Sequence, residues 1–238
     1  MAGILYIISA PSGSGKSTLV KELRSYVSGL DFSISYTTRP PRGSEEEGRE
    51  YHYIDRATFE RMREANEFLE SADVFGELYG TARQSLTDAK KHGNDLLLDI
   101  DVNGAAQVRQ QMPDSVSIFI MPPTPGDLDK RLRSRSRADG KISEEKIQRR
   151  LATARVEIEN YDEYDYILVN DVLAQAVEEL EAIVASERYH RGQPSGGAGA
   201  RDTNRLLAIA ERCRRSHAMD RVIPVLTAFG VTEPARTR

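Results

Sequence analysis

Apolar positions along the chain switch between strand-like runs and helical spacing. Ile4–Ser9 is a short apolar run of strand length. Lys16–Ser28 sets Leu19, Leu23 and Val27 one turn apart, and Gly29 ends that pattern. Phe32–Tyr36 reads as β. Asp55 is placed to cap a helix whose apolar positions are Phe59 and Met62. Phe68–Val74 follows as a strand, Leu86–Lys91 as a helix stopping at Gly93, and Asp95–Ile100 as a buried strand. Gly104–Met112 is helical, Val116–Met121 extended, and Thr124-Pro125 a cap with Pro at the first helical position, opening a helix through Leu128 and Leu132. Ser143 caps a further long helix, Tyr166–Val169 is the last strand, and Val172–Arg188 a helix after it. Strands that alternate with helices predict an α/β fold whose sheet is mostly parallel and covered on both faces.

Composition narrows the class of protein. The chain has 238 residues, 39% hydrophobic and 29% charged, with a net charge of −4. That is an ordinary globular composition and lacks the positive footprint of a strongly basic nucleic-acid binder. Cys213 is the one cysteine, which excludes an intrachain disulfide and a cysteine-built zinc site. No apolar run approaches the roughly 20 residues of a membrane span. Ile4–Ala10 is too short and wrongly flanked for a secretory signal, and Ala2 stands where a myristoylated chain needs Gly. The expectation is a cytoplasmic protein with neither membrane nor nucleic-acid partner, and with a homo-oligomer left open.

The most informative segment directly follows the first strand: Ala10-Pro11-Ser12-Gly13-Ser14-Gly15-Lys16-Ser17. It fits the phosphate-loop pattern with Ala in place of the first Gly. Gly13 and Gly15 permit the turn that aims backbone N–H groups at phosphate oxygens, and the following helix adds its positive end. Lys16 supplies a point charge for the β- and γ-phosphates of a nucleoside triphosphate, and the Ser17 hydroxyl is a magnesium ligand. The alternative, a glycine-rich turn with an accidental Lys-Ser, is at odds with the strand–loop–helix context. The apolar run Leu96–Asp101 ends in two carboxylates, Asp99 and Asp101, at the strand end where ligands bind in such sheets. Asp99 stands where a Walker-B acid orients magnesium or its waters; the alternative is that both acids only cap the next turn.

Ser35-Tyr36-Thr37-Thr38-Arg39-Pro40-Pro41-Arg42-Gly43 has the makings of an oxyanion clamp, with two arginines three apart, stiffened by prolines. Taken alone it reads equally as a solvated basic turn. Tyr51 and Tyr79 each offer a phenol donor. Glu70 lies in the mainly apolar run Phe68–Ala72, where an unpaired acid is expensive to bury. Its carboxylate matches guanine N1–H and N2–H₂ together, which adenine does not offer, and Ser35 adds a hydroxyl.

These motifs, with Tyr79-Gly80-Thr81, Leu98-Asp99-Ile100-Asp101 and Val169-Asn170-Asp171, occur in the order of the guanylate kinase family over about residues 3–190, and the chain resembles that family. The resemblance implies a P-loop three-layer core, a GMP-binding insert over about residues 33–92 and a helical lid over about 131–150. It implies transfer of the ATP γ-phosphate to GMP, and to dGMP, with Mg²⁺, feeding GDP into purine nucleotide metabolism. By the family pattern Arg39, Arg42, Tyr51 and Tyr79 hold the GMP phosphate, and Ser35, Glu70, Thr81, Asp99 and Asp101 surround guanine. Arg135 and Arg150 match arginines that stabilise the transferring phosphoryl group, although Ser134 and Ser136 flank Arg135 where the family has glycines. A scaffold domain lacking a working phosphate loop, and a kinase of phosphorylated sugars, are the competing readings; the intact Gly15-Lys16-Ser17 and the Glu70–Ser35 pair argue against each.

Residues 191–238 form a separate region by composition. Gly192–Ala200 is linker-like, and from Arg191 on there are nine Arg and four acids, a net of +5 that leaves −9 for the rest. Thr203 opens a helix with Leu206, Leu207, Ala210 and Cys213 on one side, and Pro224 limits its continuation. Docking on the core, pairing with another subunit and contact with a polyanion are open to it; the expectation is a weakly ordered extension whose removal after residue 190 leaves activity within a few-fold.

Overall fold

The computed structural model describes residues 3–138, 143–193 and 203–232, with residues 135–138 described by their backbone alone. The chain divides into two compact units. One takes in the chain up to Ile8 and Gly29–Val116; the other comprises Ser9–Ser28 and the chain from Ser117.

In the first unit β1 (Leu5–Ser9), β2 (Leu30–Phe32) and β7 (Asp95–Asp99) pair in parallel, with Leu5 opposite Leu96 and Leu30 opposite Asp95. Leu96, Leu97 and Leu98 are fully or almost fully buried, as a two-sided parallel strand requires. The Asp95 carboxylate, also buried, accepts the Ile4 N–H at 2.7 Å.

A second sheet of the same unit runs in the order β4 (His52–Tyr53), β3 (Tyr36–Thr37), β6 (Glu77–Ala82), β5 (Phe68–Val74). β5 and β6 form an antiparallel hairpin, and β3 runs antiparallel to β6 and parallel to β4. Its own small core is Phe59, Phe68 and Leu78, with Tyr36, Ile54 and Met62 against them. Phe59 comes from α2 (Arg56–Glu64), capped as expected by Asp55, which accepts the Thr58 N–H at 2.8 Å. Of these strands β5 has the expected bounds, β6 was not expected, and the expected strand Phe32–Tyr36 is split between the end of β2 and the start of β3; β3 and β4 are two residues each, too short to leave a period in the sequence. α3 (Arg83–His92) ends at Gly93 as expected, in a left-handed cap. α4 (Val102–Gln111) packs on β5, where Gln107 bonds both backbone groups of Ser71.

In the second unit β8 (Val116–Met121) pairs in parallel with β9 (Tyr166–Val169). Around them lie α1 (Lys16–Tyr26), α5 (Pro125–Ala138), α6 (Glu144–Ile158), α7 (Leu173–His190), α8 (Thr203–Cys213) and α9 (Arg215–Phe229). Thr124 caps α5 by accepting the Asp127 N–H at 3.0 Å, and Ser143 caps α6. Central sheet pairing is thus mostly parallel in a mixed α/β fold.

The extension corrects the expectation of weak order. α7 is buried on every side from Leu180 to Ser186, because α1 covers one face and α8 another. α9 packs on β9 through a face carrying Ala218, Val222, Val225, Leu226 and Phe229. Pro224 lies inside α9 instead of ending it; that buried face offsets the hydrogen bond the proline ring removes. Among the described residues of the extension, Arg205, Arg221 and Arg214 pair with Glu178, Glu179 and Glu187 of α7. Linker residues 194–202 and residues 233–238 lie outside the described part.

Cys213 is fully buried, and burial pushes its thiol up to about 11. At pH 8 the folded protein is therefore expected to react with iodoacetamide at least about 100-fold slower than the urea-unfolded chain. Equal rates would show that α8 is not docked.

Candidate active site

The phosphate loop and the expected acceptor residues lie in different units, so each half-site is taken by itself. In the second unit the loop enters α1 at Lys16, with Gly13 at φ 94° and Gly15 at φ 91°, both left-handed. The Ser14 N–H closes the turn onto the Pro11 carbonyl at 3.0 Å. The Ser14 carbonyl is held from behind by Asn170 Nδ2 at 2.7 Å and Arg131 Nη1 at 3.3 Å. Arg131 Nη2 also donates to the Asn170 carbonyl at 2.9 Å, and the Asn170 N–H donates to Met121 at 2.8 Å. A trans peptide points its N–H opposite its C=O, so fixing the Ser14 carbonyl aims the Gly15 N–H away from Asn170. A Cβ at Gly15 would come within 2.4 Å of Asn170 Nδ2, so this position admits only glycine.

Lys16 is half-buried, and the Ser17 hydroxyl is exposed with no protein partner among the described residues. Arg133 joins Asp129 of its own helix to Glu144 of α6. Those hydrogen bonds hold Glu144 down at about 2 and push Arg133 up. Arg150 is half-buried in the middle of α6. The Arg135 side chain and lid residues 139–142 lie outside the described part.

In the first unit Arg39 is buried and fully oriented. Its Nε donates to the Tyr79 hydroxyl at 3.2 Å, Nη1 to the Pro40 carbonyl at 2.7 Å, and Nη2 pairs with Glu45 at 2.9 Å. The rings of Tyr51 and Tyr53 lie 5.3 and 5.9 Å from its guanidinium carbon. Burial alone would lower the Arg39 pKa, but the bonds to Glu45 and Tyr79 outweigh it and the net shift is upward. Burial likewise pushes against ionised Glu45. The Arg42 N–H, Arg39 and the Tyr53 hydroxyl more than compensate and hold it below its ordinary value. Tyr51 is raised chiefly by burial, so its hydroxyl stays a neutral donor. Arg42 is exposed; its backbone N–H donates to the Glu45 carboxylate at 2.8 Å and its carbonyl accepts the Glu45 N–H at 2.9 Å.

Glu70 is buried and accepts the Thr81 hydroxyl at 2.6 Å. A Cβ at Gly104 would meet Glu70 Oε2 at 2.4 Å, so glycine lets the first turn of α4 approach the carboxylate. Asp101 caps that helix by accepting the Gly104 N–H at 2.7 Å. The first turn of α4, capped by Asp101, thus lies directly against the Glu70 carboxylate. Ser35 is buried, and its carbonyl accepts the His52 N–H at 2.9 Å. Asp99 is half-buried at the end of β7.

Glu45, Tyr53 and Gly104 escaped the sequence reading, and Arg131 and Asn170 carried no assigned role there. The one usable signal for Glu45 was its i+3 spacing from Arg42 after a turn glycine, blurred by Glu46 and Glu47 beside it. Asn170 and Ser14 are 156 residues apart, and no local pattern pairs them.

A family model described as guanylate kinase matches residues 3–187. The guanylate kinase of Koribacter versatilis is 53% identical over 235 residues, covering 98% of this chain and 99% of that one. The guanylate kinase of Nitrosospira multiformis is 47% identical over 186 residues, 78% of this chain and 87% of that one. Among solved structures, guanylate kinase from Anaplasma phagocytophilum superposes with a TM-score of 0.62 at 30% identity, covering 88% of this chain and 96% of that one. With its phosphate loop, parallel sheet and matched span of residues 3–187, the chain belongs to the guanylate kinase family.

Proposed function

We propose that this chain is an ATP:GMP phosphotransferase, converting ATP and GMP to ADP and GDP, with dGMP as an alternative acceptor. The observation that carries the acceptor assignment is the buried Glu70 carboxylate, joined to Thr81 and closely approached by Gly104 of α4. An ionised carboxylate there accepts from guanine N1–H and N2–H₂ together; adenine has no such donor pair. Ser35 and the Asp99–Asp101 strand end complete the base site. Arg39 and Arg42, with Tyr51 and Tyr79, take the acceptor phosphate; the bond from Arg39 to Tyr79 supports one shared anion site.

Phosphoryl transfer demands positioning and charge neutralisation more than covalent chemistry. The loop from Ala10 to Ser17 cradles the donor phosphates with its N–H groups, Lys16 faces the β- and γ-oxygens, and Arg135 and Arg150 answer charge that builds on the moving group. The acceptor needs no general base, because a phosphate monoester is already largely ionised near pH 7. The Ser17 hydroxyl and the Asp99 carboxylate are hard oxygen donors suited to Mg²⁺, Asp99 through water. No cluster of three or more His, Cys, Asp or Glu that could hold a metal ion occurs among the described residues. When bound, Mg²⁺ would supply positive charge that offsets the negative charge of the donor phosphates. No described helix is long and apolar enough to cross a membrane; we place the protein in the cytoplasm, supplying GDP for nucleotide metabolism.

The test is ADP release from ATP and magnesium with GMP, AMP, CMP or UMP added separately. Turnover that requires GMP supports the reading; equal turnover with AMP, or none with any acceptor, overturns it. Glu70→Gln removes the charge without changing the shape. It is expected to raise the GMP KM about 10- to 100-fold, the worth of a hydrogen bond to a charged group. Steady-state kinetics with GMP varied checks this, and an unchanged KM would detach Glu70 from base recognition.

A further inference from the structure

The C-terminal extension touches the elements that back the phosphate loop. β9 pairs with β8 along one side. Against it, Arg214, between α8 and α9, forms an antiparallel bridge to Tyr166, and the Arg215 N–H donates to the Asp165 carbonyl at 2.9 Å. The Arg214 guanidinium lies 5.0 Å over the Tyr166 ring. Glu187 of α7 binds both partners, the Tyr166 hydroxyl at 2.5 Å and Arg214 at 3.5 Å. Asn170, directly after this four-residue strand, is the residue that holds the Ser14 carbonyl. At the far end of the extension the carbonyl of Gly230, whose N–H caps α9, accepts from Arg155 Nη2 of α6 at 2.8 Å. α6 is the helix that carries Arg150.

We propose that α8 and α9 brace the donor half-site, with Arg214 and Arg155 as positioning residues. A short strand at the edge of its ladder is held by what covers it, and its end frays first when the cover is lost. A displacement of about 1 Å at Asn170 takes its bond to Ser14 out of hydrogen-bonding range and frees the peptide that aims the Gly15 N–H. Arg155 acts in parallel on the helix of Arg150. The expected acceptor residues belong to the other unit, so the brace acts on ATP and not on GMP. This inference rests on the reading of the loop as the ATP site.

The experiment uses full-length protein carrying Arg214→Ala, Arg155→Ala or both, with Arg214→Lys as the conservative control. Steady-state kinetics vary each substrate in turn, and calorimetry titrates a non-hydrolysable ATP analogue. The reactivity of Cys213 reports whether α8 remains docked. The double variant is expected to raise the ATP KM and the analogue Kd about 3- to 10-fold, with the GMP KM unchanged and Cys213 protected. Arg214→Lys, which keeps the charge opposite Glu187, recovers part of the loss. A lower melting temperature with unchanged ATP constants would make the contacts structural only and overturn the proposal. Equal rises in both substrate constants would overturn it too. If the unaltered protein binds the analogue but shows no turnover with GMP, the functional reading fails, and the analogue titration alone then decides the brace.

Discussion

A chain ending at Gln193 is expected to lose its cooperative thermal transition. This reverses the expectation from composition, by which the extension is dispensable. α7 is buried all round from Leu180 to Ser186, and α8 supplies one of its covering layers. α9 covers β9 in the same way. Removing residues 194–238 also removes the entropy cost of ordering them, so the relevant loss is the surface left bare on the remaining chain. Exposing three large apolar side chains at about 1.5–3 kcal/mol each costs about 5–9 kcal/mol. The whole stability of a domain is about 5–15 kcal/mol. Glu178 and Glu179 would at the same time lose Arg205 and Arg221, and Glu187 would lose Arg214 while keeping Arg191. A protein of this size shifts by roughly 2–4 °C per kcal/mol, so a fall of at least about 10 °C, or no transition at all, is expected by circular dichroism. A truncated chain that melts within about 3 °C of the full one would show that α7 is stable without its cover.

The largest effect on turnover is expected from Lys16→Ala. Lys16 begins α1 directly behind the two left-handed glycines, where loop N–H groups and the helix end converge. Losing a charged donor in such a cradle costs about 10²- to 10³-fold in kcat, about 2.7–4 kcal/mol by comparison with oxyanion donors. Arg131 is the nearby cation that might be thought to substitute. Its guanidinium already serves the carbonyls of Ser14 and Asn170, and moving it would dismantle the support of the loop. The fold is expected to be indifferent, because Lys16 is half-buried and alanine is the best helix former. The check is GMP-dependent ADP release beside a melting curve. Loss of activity with an unchanged curve is the expected pair; activity within tenfold of the unaltered protein would remove Lys16 from the transfer step.

Local chemistry was the legible part of this protein. The strands at Phe68 and Val116, the caps at Asp55, Thr124 and Ser143, and the stop at Gly93 all follow from patterns within a few residues. The phosphate loop is legible for the same reason: its turn, charge and hydroxyl are contiguous, and each has a physical duty at a fixed spacing. Arg39 and Glu70 were found as candidates because a clustered clamp and an acid in an apolar run stand out from their neighbours.

Partnership over long separations was not legible. Asn170 under Ser14, Gly104 against Glu70, and Arg214 on Tyr166 are contacts between distant segments, and each residue alone looks ordinary. Glu45 was hidden among three consecutive acids, and only the turn after Arg42 selects which one meets Arg39. The extension was misread because Gly-rich and Arg-rich composition reports the solubility of a segment, not whether a partner surface awaits it. Sequence by itself determined the alternating elements and the phosphate loop, and proposed the residue types of an acceptor site, because those depend on neighbours in the chain. Tertiary structure decided which carboxylate holds Arg39, what stands behind the loop and that the tail is part of the core, because burial depends on surfaces that distant segments bring together.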